Sequence, residues 1–150
     1  MRLRDATRAD LAAVWALETA LFGADAWSRD VVSEELTGPH RKYIVLCDSD
    51  GDVRGYAGLL MVGGDGDIQT IAVAPEFRGA GHGRLLMREL LAEAERRDAS
   101  NVFLEVRADN PVARRLYETL GFAEIAVRTG YYQPDGVDAI VMRLSMKEQQ

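Results

Sequence analysis

The stretch TIAVAPEFRGAGHGRLL, residues 70–86, constrains the fold more than any other part of the chain. It passes from an apolar run, through three glycines within residues 79–83, into a leucine-rich pattern with helical spacing. Glycine is unfavourable inside helices, so its concentration here indicates a turn whose backbone must stay bare. The segment therefore predicts a strand, a glycine turn and a helix in immediate succession.

Such a turn at a helix N-terminus suits a phosphate, because bare backbone N–H groups and the positive helix end face the anion together. Arg78 and Arg84 bracket the turn and add positive charge. The alternative is a simple flexible loop. A P-loop is excluded because no Gly-Lys pair occurs, and the Rossmann pattern fails because Arg84 stands where its third glycine belongs. The spacing present is Arg78-x-x-Gly81-x-Gly83.

The rest of the chain predicts a mixed α/β sheet in one domain, residues 1–150, since no linker divides it. Apolar runs predict strands at 1–6, 42–47, 55–62, 66–73, 101–108, 123–132 and 138–146. Helical spacing predicts helices at 7–22, 28–36, 83–97 and 110–122. Thr7, Ser28 and Asn110 are the expected N-caps. The near-continuous apolar run at 101–108 predicts a central strand covered on both faces.

Composition narrows the class of protein. A net charge of −6 argues against a general nucleic-acid binder. No apolar stretch reaches the length of a membrane span, and the first residues contain no apolar leader. The single cysteine, Cys47, fits a reducing compartment and a place in the core, and the two histidines belong to no metal-ligand cluster. We therefore expect a cytoplasmic protein that binds neither metal, membrane nor nucleic acid.

The glycine turn resembles the [Q/R]-x-x-G-x-[G/A] signature of the GCN5-related N-acetyltransferase (GNAT) superfamily. The segments LEVRADNPVARRLYETLGF and GYYQPDGVDAIVMRL extend the resemblance over nearly the whole chain, to the RimI branch of peptide and ribosomal-protein N-terminal acetyltransferases. The resemblance implies a GNAT fold, a single mixed and mostly antiparallel sheet of about seven strands flanked by about four helices. It also implies acetyl-CoA as cosubstrate.

The resemblance assigns coenzyme contacts to the strand and the turn. The backbone of Ile71, Ala72 and Val73 is expected to pair with the pantetheine arm, and the Val73 N–H to face the thioester carbonyl. The turn is expected to hold the pyrophosphate, through Arg78, Gly79, Ala80, Gly81, His82, Gly83 and Arg84. Asn110 matches a further coenzyme contact, and from its position alone it is equally well explained as a helix cap.

Two side chains are candidates for proton transfer. Glu105 is a charge within an apolar strand, so it must be ion-paired, with Arg107 for instance, or have a raised pKa. Helical spacing alone places Tyr117 in the core. By resemblance, Glu105 is the proton acceptor and Tyr117 the proton donor to the leaving thiolate. Direct attack needs no nucleophile, so a covalent intermediate on Cys47 is not expected.

The acceptor is the least constrained part of the reading. Tyr131 and Tyr132 resemble a Tyr-Tyr hairpin over the substrate in N-terminal acetyltransferases, and alternation lets at most one face the cleft. Phe22 and Trp27 are candidates for its other end, or core aromatics. The resemblance implies the N-terminal alanine of ribosomal protein bS18 as acceptor. A small-amine acetyltransferase and a non-catalytic acyl-CoA-binding regulatory domain are the alternatives, and the sequence leaves the oligomeric state open.

Overall fold

A computed structural model describes residues 1–146, so the last four residues of the predicted domain lie outside the described part. The described residues form four α-helices: Leu11–Phe22 (α1), Arg29–Thr37 (α2), His82–Arg96 (α3) and Pro111–Thr119 (α4). They also form seven strands: Arg2–Asp5 (β1), Arg41–Cys47 (β2), Val53–Val62 (β3), Asp65–Val73 (β4), Asn101–Arg107 (β5), Ala123–Tyr132 (β6) and Val137–Ser145 (β7).

All seven strands join one sheet in the order β1-β2-β3-β4-β5-β7-β6. Among the described strands, only β4 and β5 run parallel, and α3 supplies the crossover that a parallel connection requires. The other recorded pairs among the described strands are antiparallel. The predicted mixed, mostly antiparallel sheet is confirmed.

The sheet opens in its middle, between β4 and β5. Within the described residues, the β4–β5 ladder pairs 65–67 with 101–103 and goes no further, although both strands continue. On its other edge β4 stays paired with β3 and contains a bulge, because the register passes over Gln69. The continuing ends of β4 and β5 therefore diverge and leave an opening within the sheet.

Helices cover both faces of the sheet. On one face α3 buries Leu86, Met87 and Leu90 in the larger apolar cluster, which includes Tyr117 of α4. On the other face, Val14 of α1 packs in a second cluster with α2, β2 and β3. Cys47 belongs to this second cluster, so its predicted place in the core is confirmed.

Two local predictions are wrong. α1 begins at Leu11, because residues 8–10 form a 3-10 turn whose Asp10 carboxylate accepts the Thr7 N–H at 2.8 Å and pairs with Arg4 at 2.7 Å. Thr7 is therefore the N-cap of the 3-10 turn, and Asp10 takes the N-cap position of the α-helix. β5 is not covered on both faces: burial alternates along it, and Glu105 lies on the open side. The sequence looks like a fully covered strand because an apolar residue, Phe103, lies on the same side of β5 as Glu105.

The other two predicted caps are confirmed. Ser28 Oγ accepts the Val31 N–H at 3.2 Å at the start of α2. Asn110 Oδ1 accepts the Ala113 N–H at 3.2 Å, and proline follows at the first position of α4.

Candidate active site

A cavity of about 240 Å³ occupies the opening between the diverging ends of β4 and β5. Its walls come from both strands, from α1 and the connection after it, from α4 and the residue before it, and from the end of β6. The lining residues are Glu18, Phe22, Asp25, Trp27, Ile68, Gln69, Thr70, Ile71, Leu104, Glu105, Val106, Arg107, Asn110, Ala113, Tyr117 and Tyr132. The cavity thus brings together predicted site residues that are up to about a hundred positions apart in the chain.

The edge of β4 beside the cavity has backbone groups facing outward. The Ala74 N–H donates to the Arg54 carbonyl at 2.7 Å, on the β3 side. Because alternate residues of a strand point to opposite edges, the N–H groups of Ile71 and Val73 point to the open edge. The Val73 carbonyl accepts from Arg78 Nε at 3.0 Å, which fixes the start of the glycine turn against the strand. An extended ligand can therefore pair with this edge as an added strand would.

The glycine turn needs its glycines for conformation. Gly79 and Gly81 have φ of +81° and +83°, in the left-handed region that other residues avoid. A Cβ at either position would meet no described atom within 4 Å, so both face open space. Gly81 caps α3 without a side-chain hydrogen bond, and the Leu85 N–H to Gly81 carbonyl bond, 3.1 Å, begins the helical ladder. The N–H groups of residues 82–84 are thus available to an anion.

Two arginines, Arg78 and Arg84, flank the glycine turn in the chain. Among the described residues, neither Arg78 nor Arg84 pairs with a carboxylate, and Arg84 donates to Thr119 Oγ1 at 2.7 Å. A diphosphate fits this turn. The amides are open, they lie at the positive end of a helix, and no described carboxylate neutralises either guanidinium group.

Glu105 lies on the cavity wall and is ion-paired, but not with Arg107. Its Oε1 accepts from Arg128 Nη1 at 2.8 Å, and 32% of its side chain is exposed. The neighbouring carboxyl of Asp67, at the closed end of the opening, has its pKa raised by burial and by the negative charges of Glu105 and Asp65. The carboxylate of Glu105 is therefore both held in place and open to the cavity.

Tyr117 satisfies both sequence-based interpretations at once. It is 6% exposed and packs edge-on against Phe122 at 6.1 Å between ring centroids, as a core aromatic does. It also lines the cavity, and no described residue hydrogen-bonds its hydroxyl. Burial, with a smaller contribution from Tyr132, raises its pKa to about 12. The phenol is therefore protonated at neutral pH.

The two tyrosines of β6 have different surroundings. Tyr132 lines the cavity, and burial and the charge of Glu105 raise its pKa to about 12. Tyr131 lies outside the lining and packs under Arg128, 4.2 Å from the guanidinium carbon to the ring centroid. Phe22 and Trp27 both line the cavity, and Asn110 lines it while also capping α4.

Glu18 is a site residue that the sequence analysis missed. It lines the cavity, is 3% exposed, and its carboxylate accepts hydrogen bonds from the Tyr56 hydroxyl and, at 3.0 Å, from the Trp27 N–H. One signal was available: Glu18 follows Val14 by four residues and so shares the buried side of α1. Its partner Tyr56 is 38 residues away, which no local pattern connects.

Outside the cavity, the β2–β3 turn brings three carboxylates together. The acceptor oxygens of Asp48, Asp50 and Asp52 lie within 4.8 Å of one another, a grouping that the sequence analysis did not anticipate. Asp48 already pairs with Arg54 at 2.8 Å, which lowers the pKa of its carboxyl.

None of the described helices has the length and apolar character needed to cross a membrane.

Comparisons with known proteins agree with this geometry. The acetyltransferase (GNAT) family model matches residues 11–122. The N-alpha-acetyltransferase RimI of Mycobacterium tuberculosis is 41% identical over 142 residues, which span 91% of this chain and 87% of that protein. The crystal structure of the ribosomal-protein-S18-alanine N-acetyltransferase of Escherichia coli superposes with a TM-score of 0.89 at 32% identity, covering 97% of this chain and 93% of that one.

A more distant structure shares only the fold. A chimera of the Vibrio cholerae spermidine N-acetyltransferase SpeG with hSSAT superposes with a TM-score of 0.82 at 24% identity, covering 99% of this chain and 98% of that one. The resemblance inferred from the glycine turn is confirmed by the family match and the close relatives. The chain belongs to the acetyltransferase (GNAT) family and is an N-acetyltransferase.

Proposed function

We propose that this enzyme transfers the acetyl group of acetyl-CoA to the α-amine of a protein N-terminus, with the N-terminal alanine of ribosomal protein bS18 as its acceptor. One observation carries the proposal: a single cavity presents the Glu105 carboxylate and the Tyr117 phenol beside an open strand edge. Two similar proteins, from Bacillus subtilis and E. coli, are named as bS18-alanine N-acetyltransferases, the former with "putative" in its name. A ribosomal acceptor implies that the enzyme works in the cytoplasm.

Acetyl-CoA fits the strand edge and the glycine turn as one continuous ligand. Its pantetheine amides pair with the outward backbone groups of Ile71 and Val73, next to Ala72. Its diphosphate lies on the N–H groups at the start of α3, with Arg78 and Arg84 beside it. The thioester then reaches towards the cavity, and the Val73 N–H on the open edge of β4 supports the charge that develops on the carbonyl oxygen. Asn110 borders the same space.

The chemistry needs a neutral amine. The Glu105 carboxylate takes the proton of the α-ammonium, directly or through a water molecule. The amine nitrogen attacks the thioester carbon, forming the C–N bond while an electron pair moves onto the carbonyl oxygen. The tetrahedral intermediate collapses, the C–S bond breaks, and the Tyr117 hydroxyl protonates the sulfur. The nitrogen gives up its second proton as the intermediate collapses, and this proton restores the Tyr117 hydroxyl, while Glu105 releases the first proton to solvent. An ammonium and acetyl-CoA thus become an amide, a free thiol and one proton, so atoms and charge balance.

Tyr117 suits the role of acid because burial keeps its proton in place. An ordinary thiol has a pKa of about 8.5, well below the raised pKa of about 12 of Tyr117. A thiolate that departs next to the buried Tyr117 is itself destabilised by desolvation, which raises its proton affinity. The proton therefore moves as the C–S bond breaks and is not lost to solvent beforehand.

The acceptor enters from the side opposite the coenzyme. Phe22, Trp27 and Tyr132 all line the cavity, and their aromatic rings offer apolar surface to a short peptide. The Glu105 carboxylate gives the same region negative charge, which favours an incoming ammonium.

Incubation with labelled acetyl-CoA and matched acceptors tests the proposal. We expect a peptide beginning Ala-Arg-Tyr-Phe to be acetylated on its amino group. The matched controls are the same peptide with its N-terminus blocked and a lysine added, and spermidine. Label on spermidine alone would show that the acceptor is a small amine and not a protein N-terminus. Coenzyme binding without label on any acceptor would favour a regulatory acyl-CoA-binding domain.

A further inference from the structure

One guanidinium, that of Arg107, joins three segments around the mouth of the cavity. Its Nη1 lies 3.0 Å from Asp25 Oδ2, its Nε 3.0 Å from Asp109 Oδ1 and its Nη2 2.6 Å from Asp135 Oδ2. The guanidinium carbon also lies 4.9 Å from the ring centroid of Tyr132. These contacts occupy all three nitrogens of the side chain, which is 27% exposed.

The three carboxylates come from segments that are remote in sequence. Asp25 belongs to the connection between α1 and α2, where Phe22 and Trp27 line the cavity. Asp135 lies in the turn between β6 and β7, three residues after Tyr132. Asp109 precedes α4. Arg107 itself ends β5, two residues beyond Glu105 and on the same face of the strand.

We infer that Arg107 is the positioning residue of the acceptor side: it holds the α1–α2 connection and the β6–β7 hairpin at a fixed separation and seats Tyr132 against the cavity. This inference rests on the proposed function, because the walls it fixes are those assigned to the peptide. Arg107 acts through these segments and takes no part in proton transfer.

The planar guanidinium explains why arginine is needed here. Three carboxylates on three sides require donors that diverge in a fixed plane, together with a flat face for the tyrosine ring. A lysine ammonium is a point charge on a flexible stem and cannot meet all these partners at once. We therefore expect Arg107→Lys to lose most of the effect although it keeps the charge.

The coenzyme side does not depend on this residue. The start of α4 is also held by the Asn110 N–H to Arg107 carbonyl bond, 3.0 Å, and by the Asn110 side-chain cap. Neither contact uses the Arg107 side chain. Side-chain variants should therefore act on the peptide and leave acetyl-CoA binding as it is.

Steady-state kinetics with the Ala-Arg-Tyr-Phe peptide test the inference on the full-length enzyme. We expect Arg107→Met and Arg107→Lys each to raise the peptide KM by about tenfold or more, with the acetyl-CoA KM within about twofold of wild type. A role through charge alone predicts the opposite sign: Arg107→Met would unmask three carboxylates, strengthen binding of a cationic peptide and lower its KM. Unchanged or lowered peptide KM overturns the inference, as does an equal rise in both KM values.

A double-mutant cycle separates the contact from its surroundings. If Asp135 acts through Arg107, the effects of Asp135→Asn and Arg107→Met on the peptide KM are not additive. Asp50→Asn, in the remote β2–β3 turn, is the matched charge control and should change nothing. Additive effects of the first pair would overturn the assignment of Asp135 to this contact.

Amide hydrogen exchange tests the contact without any acceptor. In Arg107→Met we expect faster exchange in 23–28 and 130–136 and unchanged exchange in 48–52. If wild-type enzyme fails to acetylate the peptide while these two segments still loosen, the proposed function has failed and the contact stands. If wild type is active and the segments do not loosen, the inference has failed and the proposed function stands.

Discussion

The carboxylate of Glu105 and the guanidinium of Arg128 form an ion pair across the intervening strand β7, with 2.8 Å between Oε1 and Nη1. Arg128 is itself packed on the ring of Tyr131, 4.2 Å from its centroid. The pair restricts the carboxylate to a position on the cavity wall while a third of its side chain stays exposed. A fixed, accessible carboxylate is what general base catalysis requires.

Glu105→Gln should lower kcat for peptide acetylation by about 10²- to 10⁴-fold, the usual loss when a general base is removed. The amide keeps the shape and can still accept from Arg128, so the acetyl-CoA KM should stay near wild type. Initial rates at saturating acetyl-CoA measure this. Glu124→Gln is the matched control, since Glu124 pairs with Arg114 at 2.6 Å on the exposed surface. Undiminished turnover in Glu105→Gln would remove the assigned role.

The sequence predictions that the structure confirms depend on residues that are close together in the chain. Strand, glycine turn and helix follow from residues within a single turn of one another, and so do the caps at Ser28 and Asn110. The ion partner of Glu105 could not be predicted, because it depends on the register of β6. That register shifts between Arg128 and Tyr132, which breaks simple alternation and also decides which tyrosine lines the cavity.

Tyr117→Phe should lower kcat while leaving both KM values close to wild type, because only the hydroxyl is removed from a packed ring. The pKa of Tyr117 is raised to about 12, so the phenol holds its proton below that pH and loses it only above. We therefore expect the kcat–pH profile of wild type to show no alkaline decline from Tyr117 up to about pH 10. A decline near pH 9 that vanishes in Tyr117→Phe would contradict the raised pKa.

Gly81→Val should raise the acetyl-CoA KM sharply. A left-handed conformation costs a β-branched residue about 1–2 kcal/mol, and relaxation of the turn would move the amides that face the diphosphate. Gly51→Val is the matched control: Gly51 has φ of +85°, also faces open space, and lies in the remote β2–β3 turn. Thermal unfolding should show similar destabilisation in both variants. An equal rise of the acetyl-CoA KM in both would show that the turn has no special role.

Tyr132→Ala should raise the peptide KM by about tenfold, since it removes an aromatic wall of the cavity. Tyr131→Ala should raise it by less than about threefold, because Tyr131 reaches the site only through Arg128. Peptide titrations at saturating acetyl-CoA distinguish the two. The reverse order would mean that the peptide crosses the Tyr131 side of the hairpin.

Glu18→Leu should weaken both folding and peptide binding, because Glu18 joins α1 to β3 and to the α1–α2 connection. Loss of its carboxylate leaves the Trp27 N–H and the Tyr56 hydroxyl without their acceptor, and a buried group such as the Tyr56 hydroxyl costs about 1–3 kcal/mol when it is left unpaired. Trp27 is then free to shift from the cavity wall, so the peptide KM should rise together with a lower midpoint of thermal unfolding.

Glu18→Gln separates this hydrogen-bonding role from one of charge. Its amide oxygen can accept the Trp27 N–H, and its NH₂ group can donate to the Tyr56 hydroxyl oxygen, so both contacts survive without the negative charge. We expect stability and peptide KM close to wild type. Tyr56→Phe, which spares the Trp27 contact, should fall between the two Glu18 variants in stability and keep the wild-type peptide KM. If Glu18→Gln is instead as impaired as Glu18→Leu in peptide KM but not in stability, the carboxylate acts on the incoming ammonium by its charge and not by holding Trp27.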